Sequence, residues 1–325
     1  MRICDLGVKV GGSELEERVA ILYEELGRAG LKLQPQVYLG DEWFSPEGML
    51  AISVPFYLAH PRLRALEQSM MLEVEGGNPG WCQKLLRHEA GHCFDHGYRF
   101  SKRKQWRELF GSPDQEYAPE HYRPRPYSRS FVQHLENWYA QAHPDEDFAE
   151  TFAVWLTPGR DWRMEYRKWP IALEKLKYVD QLAQMVSLKE PQGEPGRLPY
   201  SADRMKTTLG KYYARRKKEH ADGYPDFYDI DLKRIFSGET TLPKRDSSAY
   251  RYMLRHRKEI LDSVSYWAGE RKITVEGLIK KLTHRCESLD LRLGKAEAQT
   301  HLEVSAYLAS LVMHYQFTGK FKRTV

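Results

Sequence analysis

Long apolar runs are missing from this 325-residue sequence: no stretch approaches the roughly 18–20 uninterrupted apolar residues that a bilayer span needs. The expectation is therefore no helical membrane span, and a charged fraction of 29% agrees with it. Paired cysteines are missing too. Cys4, Cys82, Cys93 and Cys286 are scattered with no Cys-x-x-Cys spacing, which argues against a disulfide frame or a thiolate metal site. Reduced thiols point to a cytoplasmic protein. A secretory leader is not expected, because Asp5 stands where its apolar core would be and no small-residue cleavage site follows. Internal repeats and low-complexity runs are also lacking. What remains, 41% hydrophobic with 12% aromatic residues, suits a folded chain long enough for two ordinary domains.

Charge is unevenly distributed. From Ser201 onward there are 25 Lys and Arg against 16 Asp and Glu, whereas the first two hundred residues hold 25 against 29. A basic module follows a mildly acidic one, which suggests either a docking surface for something anionic or a solvated helical face. Ser13-x-x-Glu16 has capping-box spacing, Val19, Leu22, Leu26 and Ala29 recur at helical intervals, and Gly30 is placed to end that helix. Residues 31–39 and 49–58 read as short strands, the second an edge strand because Pro55 cannot donate to a ladder. Residues 60–71 read as a helix. The turn cluster at 76–80 precedes a long helix carrying Trp81, Leu85, His88, His92 and His96 along one side. Residues 98–137 are rich in Pro, Tyr and Ser with little periodicity, a length of connection usually functional or mobile. Another helix opens at His143-Pro144-Asp145 and runs to Pro158, and a further one over 162–186 is expected to bend at Pro170. The Pro- and Gly-rich stretch at 191–199 is the clearest linker, and helices are expected beyond it at 202–220, 247–267, 275–293 and 295–315.

The strongest chemical signal is His88-Glu89-Ala90-Gly91-His92. On a helix, positions i and i+4 share a face, so both imidazoles reach one ion. Neutral imidazole suits Zn²⁺, and Glu89 lies beside the ion where it can take a proton from water. Gly91 costs about 1 kcal/mol of helix propensity relative to Ala, which close packing against that helix would explain. A catalytic zinc needs a third protein ligand. His96 is unsuitable, since positions i, i+4 and i+8 spread over roughly 12 Å of helix rise. Glu146 and Glu150 are better placed, one turn apart on the second helix: one can ligate while the other fixes the tautomer of a ligand histidine. An acidic helix start answering the dipole accounts for Asp145, Glu146 and Asp147, but not for Glu150 between Ala149 and Thr151.

HEAGH, followed some fifty residues on by DEDFAETFAVWL, resembles the zinc-binding metallopeptidases of bacteria, in the gluzincin branch of the zincins, and is similar to the ligand helix of lethal-factor-like zincins. The metzincin pattern does not apply, because Tyr98 stands where it would place a third histidine. The resemblance covers roughly residues 1–187 and implies Glu146 as ligand with Glu150 supporting a ligand histidine, the reverse assignment being second choice. It also implies Tyr139 as the hydroxyl that steadies the oxyanion, with Tyr127 and His134 as fallbacks. The expected fold is α+β and predominantly helical: the resemblance implies a zincin-like catalytic domain with a small sheet over 1–187, and the sequence pattern adds a lid or specificity insertion at 98–137, a linker at 188–200 and an all-α basic domain at 201–325.

The implied activity is zinc-dependent peptide hydrolysis with Glu89 as general base. Hydrolysis of a non-standard amide (isopeptide, γ-glutamyl or C-terminal tail linkage) and a binding module with a relict metal site are the alternatives. By the same resemblance, an extended substrate would add to an exposed strand at 51–57. Tyr117, Tyr122, Tyr127, Arg123 and Arg125 could contact substrate, the arginines selecting an acidic peptide. Nucleic acid is the less favoured partner for the basic helices, through segments such as 211–218 and 251–258 with their interleaved tyrosines. No membrane partner is expected.

Overall fold

Helix formation begins where the sequence signals it. Ser13 Oγ accepts from Leu15 N–H at 3.3 Å, while Glu16 reaches back to the N–H of Gly12 at 2.7 Å, one residue earlier than a capping box requires. The helix so started, α1 (Glu14–Arg28), buries Leu15, Val19, Leu22 and Leu26, and Gly30 follows it with φ 75°. The structure, a computed structural model, describes residues 1–71, 73–117, 125, 128–135, 138–193, 196–221, 228–236 and 247–318. Among them the chain is predominantly helical α+β, with twelve α-helices and one two-stranded sheet. No helix of the described residues is long and apolar enough to cross a membrane. All four cysteines are free.

The chain divides into two compact units, residues 1–70 with 74–212 and residues 71–73 with 213–325. In the first, β1 (Gln36–Gly40) and β2 (Ala51–Pro55) pair in parallel, Val37 opposite Ile52. β2 is buried along its whole length, and its Ser53 N–H donates to Phe44 O at 2.8 Å. The strand expected to offer an open edge to substrate at 51–57 is therefore already covered at that position. After α2 (Pro61–Met71) comes α3 (Pro79–Tyr98), capped by Asn78 Oδ1 accepting from Trp81 N–H at 2.8 Å and closed by Arg99 in the left-handed region. A short α4 (Lys104–Phe110) interrupts the segment expected to be aperiodic, because Trp106 and Phe110 bury their rings. α5 (Pro144–Leu156) has His143 as its N-cap and Pro144 at its first position. Pro170 starts a new helix rather than bending one: α6 (Trp162–Glu165) ends before it and α7 (Pro170–Met185) begins with it.

α3 and α5 form the centre of this unit. Phe94 stacks on Phe148 with centroids 6.3 Å apart and lies 4.8 Å from Phe152, while Arg87 donates from Nε and Nη2 to buried Glu25 of α1. Residues 196–208 are bound to the chain start and to β1: Ile3 N–H donates to Thr207 O, Cys4 N–H to Met205 O, and Tyr38 Oη to Pro199 O.

α8 (Leu209–Ala221) starts seven residues later than expected. The second unit holds α9 (Asp229–Ile235), which the sequence pattern did not suggest, α10 (Ala249–Ala268), α11 (Lys272–Ser288) and α12 (Glu297–Thr318). Its core comprises residues such as Leu232, Met253, Ile260, Val264, Leu278, Leu282, Leu308 and Val312. Tyr212, Tyr213 and Tyr252 are each 1% exposed, so the tyrosines interleaved with the basic residues are core side chains and present no face for stacking on a base.

Candidate metal centre

Because α3 and α5 touch along their backbones, side chains on their facing sides converge. His88 and His92 project from α3 one turn apart, and Glu146 meets them from the first turn of α5. His88 Nε2 lies 2.9 Å from Glu146 Oε2, His92 Nε2 lies 3.3 Å from the same oxygen, and the two Nε2 atoms are 3.1 Å apart. Donors held on one ion at 2.0–2.1 Å in a tetrahedron stand roughly 3.3 Å from each other. The three atoms already have that spacing.

The other nitrogen of His88 is taken. Its Nδ1 sits 2.8 Å from Glu150 Oε1, and Glu150 Oε2 accepts from Leu135 N–H at 2.8 Å. A proton on Nδ1 leaves a lone pair on His88 Nε2, aimed at Glu146 Oε2, which is buried without a hydrogen-bond partner. With that tautomer the His88 Nε2 lone pair faces a carboxylate oxygen, a repulsion that a cation lying between them and His92 would relieve. The same demand appears in the titration of these groups. Burial lowers the His88 pKa, but the carboxylates of Glu146 and Glu150 beside it outweigh that and hold the imidazole well above its usual value. Burial raises the Glu146 pKa, yet His92 and His88 more than reverse that and hold its carboxyl well below the carboxylate range. A site that stabilises a positive charge this strongly, with two imidazoles and one carboxylate, fits a divalent zinc ion.

Glu89 is buried with Oε2 unpartnered, and burial, opposed by His88 and His92, raises its pKa. Tyr139 begins the 3-10 turn immediately before α5, its ring 5.6 Å from that of His88. Tyr117, which sequence reasoning set among the substrate-contacting residues of the insertion, donates from Oη to Glu146 Oε1 at 2.6 Å and lies 3.3 Å from Tyr139 Oη. Burial and the Glu146 charge push both phenols up, so both remain protonated donors.

The fallback His134 is buried with Nε2 3.0 Å from Lys84 O, holding the loop that presents Leu135 to Glu150. Tyr127, Tyr122 and Arg123 lie outside the described residues. Arg125 is fixed by its backbone to Gln141, at 2.8 and 3.1 Å. His96 stacks on the far side of His92 at 6.4 Å and is not among the converging donors. Asp147 does more than answer the helix dipole: it is buried against Lys175 Nζ at 2.5 Å.

Two helices meet backbone to backbone there, and a His-x-x-x-His pair on one faces a glutamate on the other with the spacing of donors for one ion. Residues 84–181 match the model of the family described as Putative zinc-binding metallo-peptidase, a span that contains every residue of this centre. Neither the curated proteins nor the solved structures give a match.

Proposed function

We propose that this chain is a zinc-dependent metallopeptidase with His88, His92 and Glu146 as ligands, Glu89 as general base and Tyr139 as oxyanion donor. The observation that carries the reading is the convergence of three donor atoms within 3.3 Å of one another, two on buried side chains and one on the partly buried His92. Zinc bound there would supply Lewis acidity, making water more acidic and an amide carbonyl more electrophilic.

The chain's own groups do the rest. Glu89, its Oε2 unpartnered and its proton affinity raised, takes a proton from water as the oxygen–carbon bond forms. It returns that proton to the amide nitrogen as the carbon–nitrogen bond breaks. Tyr139 donates to the oxygen that becomes negative, and Tyr117 holds the outer oxygen of Glu146 so that the inner one faces the histidines. Glu150 keeps the His88 proton on Nδ1.

The substrate is a peptide or protein; an acidic one suits the arginines of the 98–137 insertion. Four free thiols support a cytoplasmic location. The catalytic domain is assigned to 1–187, with the basic helical part after it. Metal analysis of purified protein, then digestion of a peptide library read by mass spectrometry, tests the proposal. Stoichiometric zinc with cleavage by the wild type, and zinc without cleavage by Glu89→Gln, are expected. A folded sample that refuses zinc overturns it, and loss of metal from Glu89→Gln removes the role given to that residue.

A further inference from the structure

α10 and α12 each carry one histidine and one glutamate on the sides they turn to each other: His256 and Glu259 three residues apart, Glu297 and His301 four apart. We propose that His256, Glu259 and His301 form a second divalent-metal site, independent of the first, with Zn²⁺ or a similar borderline transition ion as its ligand.

The argument rests on which nitrogen of each ring is committed. His256 Nε2 lies 2.6 Å from Glu297 Oε1, an oxygen also 3.5 Å from Arg255, so the charge of Glu297 is answered from outside and it serves to orient. A proton on Nε2 leaves the Nδ1 lone pair of His256, which lies 3.4 Å from Glu259 Oε2. His301 Nδ1 lies 3.2 Å from the hydroxyl of Tyr252, whose ring is buried and fixed. Donation from Nδ1–H to that oxygen leaves the Nε2 lone pair of His301, 3.8 Å from Glu259 Oε1. Both rings are thus held by a partner on one nitrogen, and both remaining nitrogens turn to the same carboxylate. One donor atom from each of His256, Glu259 and His301 lies within 4.8 Å of the others.

This is how ligand histidines are built: the outward nitrogen donates to a fixed acceptor, which sets tautomer and ring orientation. The histidines are largely covered, at 21% and 27% side-chain exposure, whereas Glu259 at 68% is free to swing and close the site. Two imidazoles with one carboxylate favour Zn²⁺, Co²⁺, Ni²⁺ or Cu²⁺ over Mg²⁺ or Ca²⁺. An ion there would join α10 to α12 at the surface of the second unit, beside its core.

The test is zinc titration of the metal-free full chain by calorimetry, with thermal unfolding of the same samples. Wild type is expected to take a second equivalent beyond the one at His88 and His92. Glu259→Gln, an exposed change that leaves the core intact, and His301→Ala are each expected to lose one equivalent and keep peptide hydrolysis. Glu297→Gln should weaken that equivalent by about 10–100-fold without removing it. Wild type that binds a single ion, lost on His92→Ala, overturns the proposal, as does Glu259→Gln together with His301→Ala retaining the full wild-type count. If the first site takes no zinc, an equivalent abolished by Glu259→Gln still supports this one.

Discussion

A side-chain carbon on Gly91 would stand 2.8 Å from Ala149 Cα and 2.9 Å from Ala149 O. The helix carrying the histidines and the helix carrying the glutamates therefore meet backbone to backbone, and that approach sets the distance from His88 and His92 to Glu146. Backbone cannot rotate away as a side chain can. Gly91→Ala is expected to cost about 1–3 kcal/mol from overpacking, partly offset by about 1 kcal/mol of helix propensity. It should also weaken zinc binding by separating the donors. Urea unfolding of the metal-free protein and a chelator competition measure the two effects. A variant equal to wild type in both would mean the approach is not limiting.

Glu150 holds His88 by one oxygen and the Leu135 N–H by the other, at 2.8 Å each. Removing its charge leaves the imidazole free to change tautomer and turn a proton toward Glu146. Glu150→Gln is expected to lower zinc affinity about 10–100-fold while zinc stoichiometry at saturation is unchanged. Complete loss of binding would instead make Glu150 the ligand and reverse the assignment with Glu146.

The two tyrosines separate by which parameter they move. Tyr117 donates to a carboxylate at 2.6 Å, an interaction worth about 1.5–3 kcal/mol, so Tyr117→Phe should act through metal affinity. Tyr139→Phe should leave zinc affinity alone and reduce kcat about 100–1,000-fold, the loss seen when one oxyanion donor is removed. Steady-state kinetics at saturating zinc, beside the chelator competition, distinguish them. The opposite pattern would exchange their roles.

How much of this was legible in the sequence follows from how local each signal is. α3 and α5 are announced by neighbours in the chain: Asn78 and Pro79 at one start, His143 and Pro144 at the other, and imidazole spacing of one turn. Gly91 is readable as close packing because nothing else excuses a glycine there. Tyr117 is not readable as a partner of Glu146, since 29 residues separate them and the intervening segment has no period. Asp147 looks like any acidic residue in a first turn until Lys175 of α7 is brought against it. The covered edge of β2 depends on Phe44, which lies outside any regular strand. In the second unit, His256-x-x-Glu259 and Glu297-x-x-x-His301 have ligand spacing, but neither pair means anything until α10 and α12 face each other.

His134 provides the pH dependence. It is 5% exposed, its Nε2 donates to Lys84 O at 3.0 Å, and burial holds its pKa down at about 4. In the unfolded chain the imidazole titrates near 6.5. Between those values the unfolded chain takes up a proton that the folded chain refuses. Stability from this group is therefore complete above about pH 6.5 and falls as the pH drops toward 4, by about 3 kcal/mol at most. His96, also lowered to about 4 by burial, adds a loss of the same sign, so the wild-type slope alone does not isolate His134. The difference from His134→Gln does, because an amide can still donate to the Lys84 carbonyl but does not titrate. Urea unfolding of metal-free protein at pH 7 and pH 4.5 should show wild type losing about 2 kcal/mol more than the variant. Metal-free samples are needed because zinc binding itself releases protons. Equal losses in the two proteins would mean that the folded state admits the proton and that His134 is not sealed against Lys84.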